Sequence, residues 1–176
     1  MSTQNQNTTC TNCKALLVDD DPISLLLLKK IVQKFGHKPD TFTDPQKALE
    51  AYQKDRYQLV ITDFLMPKLN GLELCQALRA EPEGELTVIF IVTAKDSDSN
   101  LQAILQAGAD DYLLKPINRS HMEIRLQIAA NLIINKQKRR ESLISLRNSE
   151  REYRRLFEDS PVAMIIHAQG SFQQAN

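Results

Sequence analysis

The sequence has little of what membrane, secreted and nucleic-acid-binding proteins require. Its longest uninterrupted apolar runs, such as residues 88–92, extend over five residues, whereas a membrane-spanning helix needs about twenty. The first thirteen residues are polar and lack the apolar stretch of a secretory signal. The formal net charge is zero, which argues against a generally basic nucleic-acid binder. We therefore expect a soluble chain in the cytoplasm, without direct nucleic-acid or membrane binding.

Cysteine is also scarce, because the 176 residues contain three, at positions 10, 13 and 75. Three scattered cysteines are too few for a disulfide framework. Cys10 and Cys13 have neither a second cysteine pair nor a neighbouring histidine to complete a zinc site. We therefore expect residues 1–13 to be a disordered polar leader.

Between Ala15 and Pro116, short apolar runs alternate with segments of helical periodicity. Runs that are apolar throughout are typical of strands buried on both faces, as in a parallel sheet covered by helices. The pattern therefore predicts a doubly wound α/β domain over residues 14–118. We place its strands at Ala15–Val18, Pro39–Phe42, Leu59–Ile61, Val88–Val92 and Tyr112–Leu114, and its helices at Ile23–Phe35, Pro45–Tyr52, Leu72–Leu78 and Leu101–Ala107.

A different pattern follows, because residues 117–160 contain neither glycine nor proline. Residues 1–118 carry 12 basic and 16 acidic side chains, a net charge of −4, and residues 119–176 carry 10 and 6, a net charge of +4. The composition predicts one long C-terminal helix over residues 119–160. At about 1.5 Å per residue it would extend roughly 60 Å, too far to bury its apolar face on its own domain.

A heptad frame can be drawn along this helix, which favours a parallel homodimer through residues 124–157. The frame places Lys136, Arg139 and Glu150 at seam positions, so a solvated single helix, or one broken near residues 136–140, stays open. We interpret the basic run 136–140 as a solvated face. The apolar seam positions are Met122, Ala129, Leu132, Leu143, Leu146, Tyr153 and Phe157.

Polar residues stand at the carboxyl ends of the predicted strands, where doubly wound sheets form their sites. Several carboxylates held within a few ångströms repel one another unless a cation intervenes, and all-oxygen ligation suits Mg²⁺. Helix capping explains Asp21 before Pro22, but not Asp63, which precedes apolar residues. The residues concerned are Asp19, Asp20, Asp21, Asp63, Thr93 and Lys115.

Four segments together carry a family resemblance: residues 16–22, 59–71, 91–94 and 108–116. In their order and spacing they resemble the receiver domain of two-component response regulators, and the resemblance covers about residues 14–132. It implies a five-stranded parallel sheet of order 2-1-3-4-5 with helices on both faces. It also implies a signalling domain without enzymatic output of its own, whose partner is a histidine kinase or a histidine phosphotransfer protein.

The same resemblance implies a role for each site residue. Asp63 is the phosphoacceptor, and Lys115 pairs with the phosphoryl group, which Thr93 also contacts. Thr93 and Tyr112 are the switch residues. Mg²⁺ is held by Asp19, Asp20, Asp63 and the carbonyl of Leu65; the side chains of Leu65 and Lys95 tune dephosphorylation, and the Lys115–Pro116 bond is cis.

Elementary chemistry is consistent with these roles. Phosphoryl transfer spreads charge over three equatorial oxygens, so the protein mainly positions and neutralises. Mg²⁺ and Lys115 supply positive charge, and the Thr93 hydroxyl can donate a hydrogen bond. Asp63 needs no neighbouring base because a carboxylate is already ionised at neutral pH.

A second resemblance begins near the end of the chain. Residues 149–161, 164–166, Gly170 and 175–176 are similar to the start of a PAS domain, which we assign to residues 161–176. This resemblance implies that the helix relays a signal to a PAS domain and to a diguanylate cyclase or histidine kinase output outside this chain. So short a segment cannot bury a core, so we expect residues past Pro161 to be disordered or to pack elsewhere.

Two other functions fit parts of the sequence. Residues 19–23 are similar to the signature of haloacid-dehalogenase-type phosphatases, in which Asp19 would be the nucleophile, but Asp63 would then have no role. Alternatively, the domain is a degenerate receiver that acts only as a dimerisation module. Residues 120–125 faintly resemble a histidine-kinase phosphorylation box, but we interpret His121 as a surface residue at a helix start.

Overall fold

The computed structural model describes residues 12–94, 98–158, 165–168 and 171–175. The chain divides into two compact units, Met1–Lys136 and Gln137–Asn176. Among the described residues, no helix combines the length and hydropathy that crossing a lipid bilayer requires.

Alternating strands and helices form the first unit, as the sequence predicts. All neighbouring strands are parallel, in the order β2-β1-β3-β4-β5. This confirms the predicted doubly wound fold. The strands are β1 (Lys14–Val18), β2 (Lys38–Phe42), β3 (Leu59–Asp63), β4 (Val88–Thr93) and β5 (Asp111–Leu114); the helices are α1 (Pro22–Lys34), α2 (Pro45–Lys54), α3 (Gly71–Ala80), α4 (Asp98–Gln106) and α5 (Arg119–Glu158).

The hydrophobic core lies in two layers, one on each face of the sheet. Leu17, Ile61 and Phe90 face the layer formed with α1 and α5. Leu16 and Val60 face the layer formed with α2, α3 and α4. Because both faces are covered, every residue of β3 and β4 is buried, and this explains why these strands are apolar without alternation.

Helix punctuation follows the sequence signals. Asp21 caps α1, with Pro22 at the first helical position, and Asp44 caps α2 before Pro45 in the same way. The chain turns after α1 at Gly36, whose φ of 84° favours glycine. The caps therefore fix where the loops that follow the strands end.

The long helix α5 is continuous over 40 residues, so the alternative of a break near residues 136–140 is wrong. Its first half packs in the core of the first unit, where Met122 and Ala129 are buried. The prediction that these seam residues contact a second helix is therefore wrong for this half, because their own domain covers them. The described side chains of residues 137–155 are exposed.

The second unit contains two short strands besides the end of α5. β6 (Ile165–Ala168) and β7 (Ser171–Ala175) pair antiparallel. The expectation of disorder was wrong for these residues, because their backbone groups pair with each other. The assignment of residues 161–176 to a PAS domain stays a prediction.

Burial of His37 makes the stability of the first unit depend on pH. The side chain is 7% exposed, its Nδ1 has no hydrogen-bond partner, and burial lowers its pKa. Protonation of His37 therefore favours the unfolded chain. The contribution of neutral His37 to the free energy of unfolding is complete above the unfolded pKa, about 6.5, and is lost as pH falls below it. We expect the urea concentration at the unfolding midpoint to be lower at about pH 5.5 than at about pH 7.5, and we expect His37→Gln to reduce this difference.

The matched control is His121→Gln, because His121 is exposed at the start of α5 and its replacement should leave the fall unchanged. An equal fall in wild type and His37→Gln would contradict the prediction.

Candidate functional site

The carboxyl ends of the strands bring the polar residues to one edge of the sheet. Asp63 is the last residue of the central strand β3, and Asp19 follows the neighbouring strand β1 directly. Thr93 ends β4, and Lys115 follows β5. The parallel topology therefore collects residues that are up to 96 positions apart in the chain.

Three of the carboxylates form one cluster. One oxygen from each of Asp19, Asp20 and Asp63 can be chosen so that all lie within 4.8 Å of one another. Asp19 is 3% exposed and Asp63 7% exposed, whereas Asp20 is open to solvent. Oxygen donors from two buried and one exposed carboxylate suit a hard divalent cation, so the residues present fit the expected metal.

Lys115 balances part of this negative charge. Its Nζ lies 2.5 Å from Asp63 Oδ1 and 3.3 Å from Asp19 Oδ2. Burial lowers the pKa of Lys115, but the hydrogen bonds and charges of the two aspartates outweigh burial and raise the pKa overall. Burial also raises the pKa of Asp19, against the hydrogen bond from the Asp21 amide and the charge of Lys115. The Lys115–Pro116 bond is cis, as predicted.

Backbone contacts hold the Asp63 carboxylate in place. The Leu65 amide donates to Asp63 Oδ2 at 3.1 Å. Phe64, which follows Asp63, is bound to β4, because its amide donates to the Val92 carbonyl at 2.8 Å. The Asp21 amide donates to Asp19 Oδ1 at 2.9 Å. Both buried carboxylates are thus oriented by local backbone as well as by Lys115.

Gly71 has a role at the site that our reading of the sequence missed. A Cβ at this position would lie 2.2 Å from the Asp63 carbonyl oxygen and 3.0 Å from Phe64 Cα. The Gly71 amide donates to the Phe64 carbonyl at 2.9 Å, so the start of α3 closes against the end of β3. The available signal was a glycine placed after Asn70, which forms a capping box with Glu73.

The two predicted switch residues lie on adjacent strands. Thr93 is buried at the end of β4, and its carbonyl accepts a hydrogen bond from the Lys115 amide at 2.8 Å. Tyr112 is half-buried in β5, opposite Ile91 in register, and packs on the core layer that α4 contributes to.

Other predicted residues lie apart from the cluster. The Leu65 side chain points to solvent, with 65% of its surface exposed. Lys95 lies outside the described residues. His121 is exposed on α5, and Asp21 accepts from the amides of Ile23 and Ser24 as a helix cap.

A family model for the response regulator receiver domain matches residues 15–127, which contain the three clustered aspartates and Lys115. The chain belongs to the response regulator receiver domain family. The match covers more than half of the chain and includes every site residue described above.

Relatives of the receiver domain are signalling proteins. Response regulator MprA of Mycolicibacterium vanbaalenii is 37% identical over 114 residues, which are 65% of this chain and 48% of the relative. The transcriptional regulatory protein PhoP of alkaline phosphatase synthesis in Bacillus subtilis is 32% identical over 116 residues, 66% of this chain and 48% of the relative. The chain therefore spans about half the length of the curated relatives it matches.

Solved structures have the same fold. Chemotaxis protein CheY4 of Vibrio cholerae superimposes with a TM-score of 0.65 at 29% identity and covers 68% of this chain and 99% of its own. The receiver domain of sensor histidine kinase PA1611 of Pseudomonas aeruginosa gives a TM-score of 0.64 at 26% identity, covers 69% of this chain and 99% of its own, and has a magnesium ion coordinated in its active-site cleft.

We predict that Gly71→Ala damages the site of the receiver domain more than its fold. The added Cβ must displace the Asp63 carbonyl, so we expect a loss of roughly 1–3 kcal/mol of stability together with a clear loss of divalent-cation affinity. Urea unfolding and magnesium titration of intrinsic tyrosine fluorescence measure the two quantities.

Gly36→Ala is the matched control. Its cost of about 1 kcal/mol comes from a left-handed backbone between α1 and β2, at the amino end of the sheet. It should lower stability without changing cation affinity. Equal cation affinity in Gly71→Ala and wild type would contradict the prediction.

Proposed function

We propose that Asp63 accepts a phosphoryl group from a histidine kinase or a histidine phosphotransfer protein. The main support for this proposal is the position of the Asp63 carboxylate at the buried end of the central strand. It lies 2.5 Å from Lys115 Nζ and within 4.8 Å of oxygens of Asp19 and Asp20. A buried carboxylate beside a lysine and beside two further carboxylates that can bind a cation supplies the positioning and, with the cation bound, the neutralisation that phosphoryl transfer requires.

The transfer forms one bond and breaks one bond. A carboxylate oxygen of Asp63 forms a bond to phosphorus while the bond from phosphorus to the donor histidine nitrogen breaks, and the imidazole leaves with the electron pair and takes up a proton. Asp19, Asp20, Asp63 and the Leu65 carbonyl would hold Mg²⁺, which supplies positive charge to the phosphoryl oxygens. Lys115 neutralises a further part of that charge, and the Leu65 amide keeps the acceptor oriented.

Thr93 and Tyr112 would report the phosphorylated state. The phosphoryl group adds about two negative charges at neutral pH, at the edge of the sheet where Thr93 ends β4. A Thr93 hydroxyl drawn to that charge would leave space beside β5, which the half-buried Tyr112 ring would fill. Such coupling is typically worth about 1–3 kcal/mol, enough to change a contact surface without unfolding the domain.

Phosphorylation by a small donor tests the acceptor. We expect the protein with magnesium and acetyl phosphate to gain the mass of one phosphoryl group, and Asp63→Asn to gain none, because an amide is not a nucleophile toward phosphorus. Intact-mass spectrometry measures the adduct, and its lability to hydroxylamine identifies an acyl phosphate.

Asp19→Asn is the matched control, since it removes a neighbouring carboxylate and keeps Asp63. Asp19→Asn should lower the affinity for magnesium but leave the phosphoryl group on Asp63. An adduct that survives Asp63→Asn and disappears in Asp19→Asn would instead support the phosphatase with Asp19 as nucleophile. No adduct in wild type and no binding of magnesium at millimolar concentration would support the degenerate dimerisation module.

We further propose a parallel homodimer through the second half of α5. The side chains of Leu143, Leu146 and Tyr153 are exposed at the heptad positions of one seam, and the Tyr153 and Phe157 rings stack at 5.8 Å between centroids. A second copy of the same seam is the matching occupant, because identical apolar positions come into register in a parallel pair. The proposed contact covers residues 137–155, since the earlier part of the frame is buried in its own domain and Phe157 is buried as well.

Charge substitution on the seam tests the dimer. We expect Leu146→Glu to convert a dimer to a monomer, because it removes a central apolar contact and adds a second pair of facing carboxylates to a seam that already carries Glu150. Light scattering at micromolar concentration measures the mass. Ile144→Glu is the matched control, as Ile144 is a similarly exposed apolar residue off the seam, and it should leave the dimer intact. A monomeric wild type would refute the proposal.

The remaining expectations concern parts beyond the receiver domain. A PAS domain after α5, an output such as a diguanylate cyclase or histidine kinase, and a cytoplasmic location stay predictions. The receiver fold of the described residues supports a role in signalling. We expect any catalytic output to come from another part of the protein.

A further inference from the structure

A second cluster of charges lies at the opposite edge of the sheet from Asp63. The Asp110 carboxylate, just before β5, pairs with Arg79 of α3 at 2.7 Å and with Lys136 of α5 at 2.8 Å. The three side chains are only 15%, 16% and 23% exposed for Arg79, Asp110 and Lys136. Pairs this well shielded from solvent are coupled more strongly than surface ion pairs.

The Asp110 carboxylate also fixes the beginning of both strands that end at the site. Its Oδ2 accepts a hydrogen bond from the Ile89 amide, at the start of β4, at 2.9 Å, and the next residue of the chain, Asp111, begins β5. At their other ends these strands lead to Thr93 and Lys115. One carboxylate therefore holds the amino ends of two short strands whose carboxyl ends reach the phosphoacceptor.

The cations of the cluster are held by the backbone as well. Arg79 Nε donates to the Gly108 carbonyl at 2.7 Å and Arg79 Nη1 to the Thr87 carbonyl at 2.8 Å. Lys136 Nζ donates to the same Thr87 carbonyl at 3.0 Å. Arg79 and Lys136 thus share two acceptors, Asp110 and Thr87, and this sharing fixes α5 to the strand edge through a network rather than a single pair.

Lys136 is also the last partly buried residue of α5 before a long run of exposed side chains. Ile133, three residues earlier, is buried in the core, whereas the described side chains of residues 137–155 are exposed. Arg125, eleven residues before Lys136, pairs with Asp111. Eleven residues are close to three helical turns, so two consecutive aspartates bind the same helix on one face at two heights.

We propose that Arg79, Asp110 and Lys136 form an exit clamp, which couples the strands of the site to the helix at the point where the helix leaves the domain core. A displacement of β4 or β5 at the phosphoacceptor moves the Asp110 carboxylate, and Lys136 transmits that movement to the helix beyond it. The direction of signalling rests on the proposed phosphorylation of Asp63; the clamp itself rests on the contacts of Asp110.

Hydrogen exchange in the unmodified protein tests the clamp directly. We expect Lys136→Met, which keeps the aliphatic stem and removes the charge, to accelerate amide exchange over residues 130–137 by about tenfold. Lys138→Met is the matched control, because Lys138 is an exposed lysine two residues further along α5, and it should leave exchange unchanged. Equal exchange in Lys136→Met and wild type would overturn the clamp.

Coupling to the site is tested with beryllofluoride and magnesium, which mimic the phosphoryl group. In wild type and in Lys138→Met we expect the adduct to change exchange over residues 137–150 by about twofold or more. In Lys136→Met the change should disappear although the adduct forms, as followed by ¹⁹F NMR. A change that persists in Lys136→Met, or that is absent in wild type with the adduct formed, would overturn the coupling.

The two measurements distinguish failure of the clamp from failure of the proposed function. If wild type forms no adduct, phosphorylation of Asp63 is refuted, and the exchange measured in the unmodified protein still decides whether the clamp exists. Asp110→Asn gives an independent check, because it leaves Arg79 and Lys136 without their shared carboxylate, and it should accelerate the same amides as Lys136→Met.

Discussion

Crowding of like charge at one edge of the sheet is the constraint on which the structure depends. Two unit charges 4 Å apart repel by about 4 kcal/mol at an effective dielectric constant of 20, and three carboxylates come within 4.8 Å here. Lys115 offsets part of this repulsion and a divalent cation would offset more. Asp63 and Asp19 can be held together because fully buried strands carry them and because backbone amides orient their oxygens. The reactivity of the site is therefore maintained at the expense of stability supplied by the core.

The carboxyl and amino edges of the sheet differ in their charge. At the carboxyl edge, carboxylates gather around one cation, Lys115, and the net charge is negative. At the amino edge, one carboxylate, Asp110, is surrounded by two cations and by the Ile89 amide, so this cluster has a net positive charge. β4, which is buried along its whole length, and β5, which is partly buried, join the two edges. The ion pairs of Asp110 at the second edge link the sheet to α5.

Much of this could be predicted from the sequence, because apolar runs without alternation determine buried parallel strands and polar residues at their ends mark the site. Asp63, Asp19 and Lys115 fell together as expected. The role of Gly71 could not be predicted, since it depends on how closely α3 approaches the Asp63 carbonyl, which only coordinates show. Nor could the partners of Asp110, because ion pairs between residues 26 and more positions apart have no periodicity that a pattern would reveal. The unsatisfied Nδ1 of His37 could not be predicted either, because no sequence pattern reveals which buried polar atoms lack a hydrogen-bond partner.

Lys136 shows why a heptad frame alone misplaces the boundary of a domain. In the frame, Lys136 is one of three charged residues at seam positions, and Met122 and Ala129 are two of the apolar ones. The structure reverses this assignment, because Met122 and Ala129 belong to the domain core, and Lys136 faces Asp110 instead of a second helix. The same stripe therefore packs on the sheet before Lys136, whereas the described side chains of residues 137–155 are exposed and Phe157, further along, is buried. A second copy of the helix is our proposed partner for the exposed apolar residues.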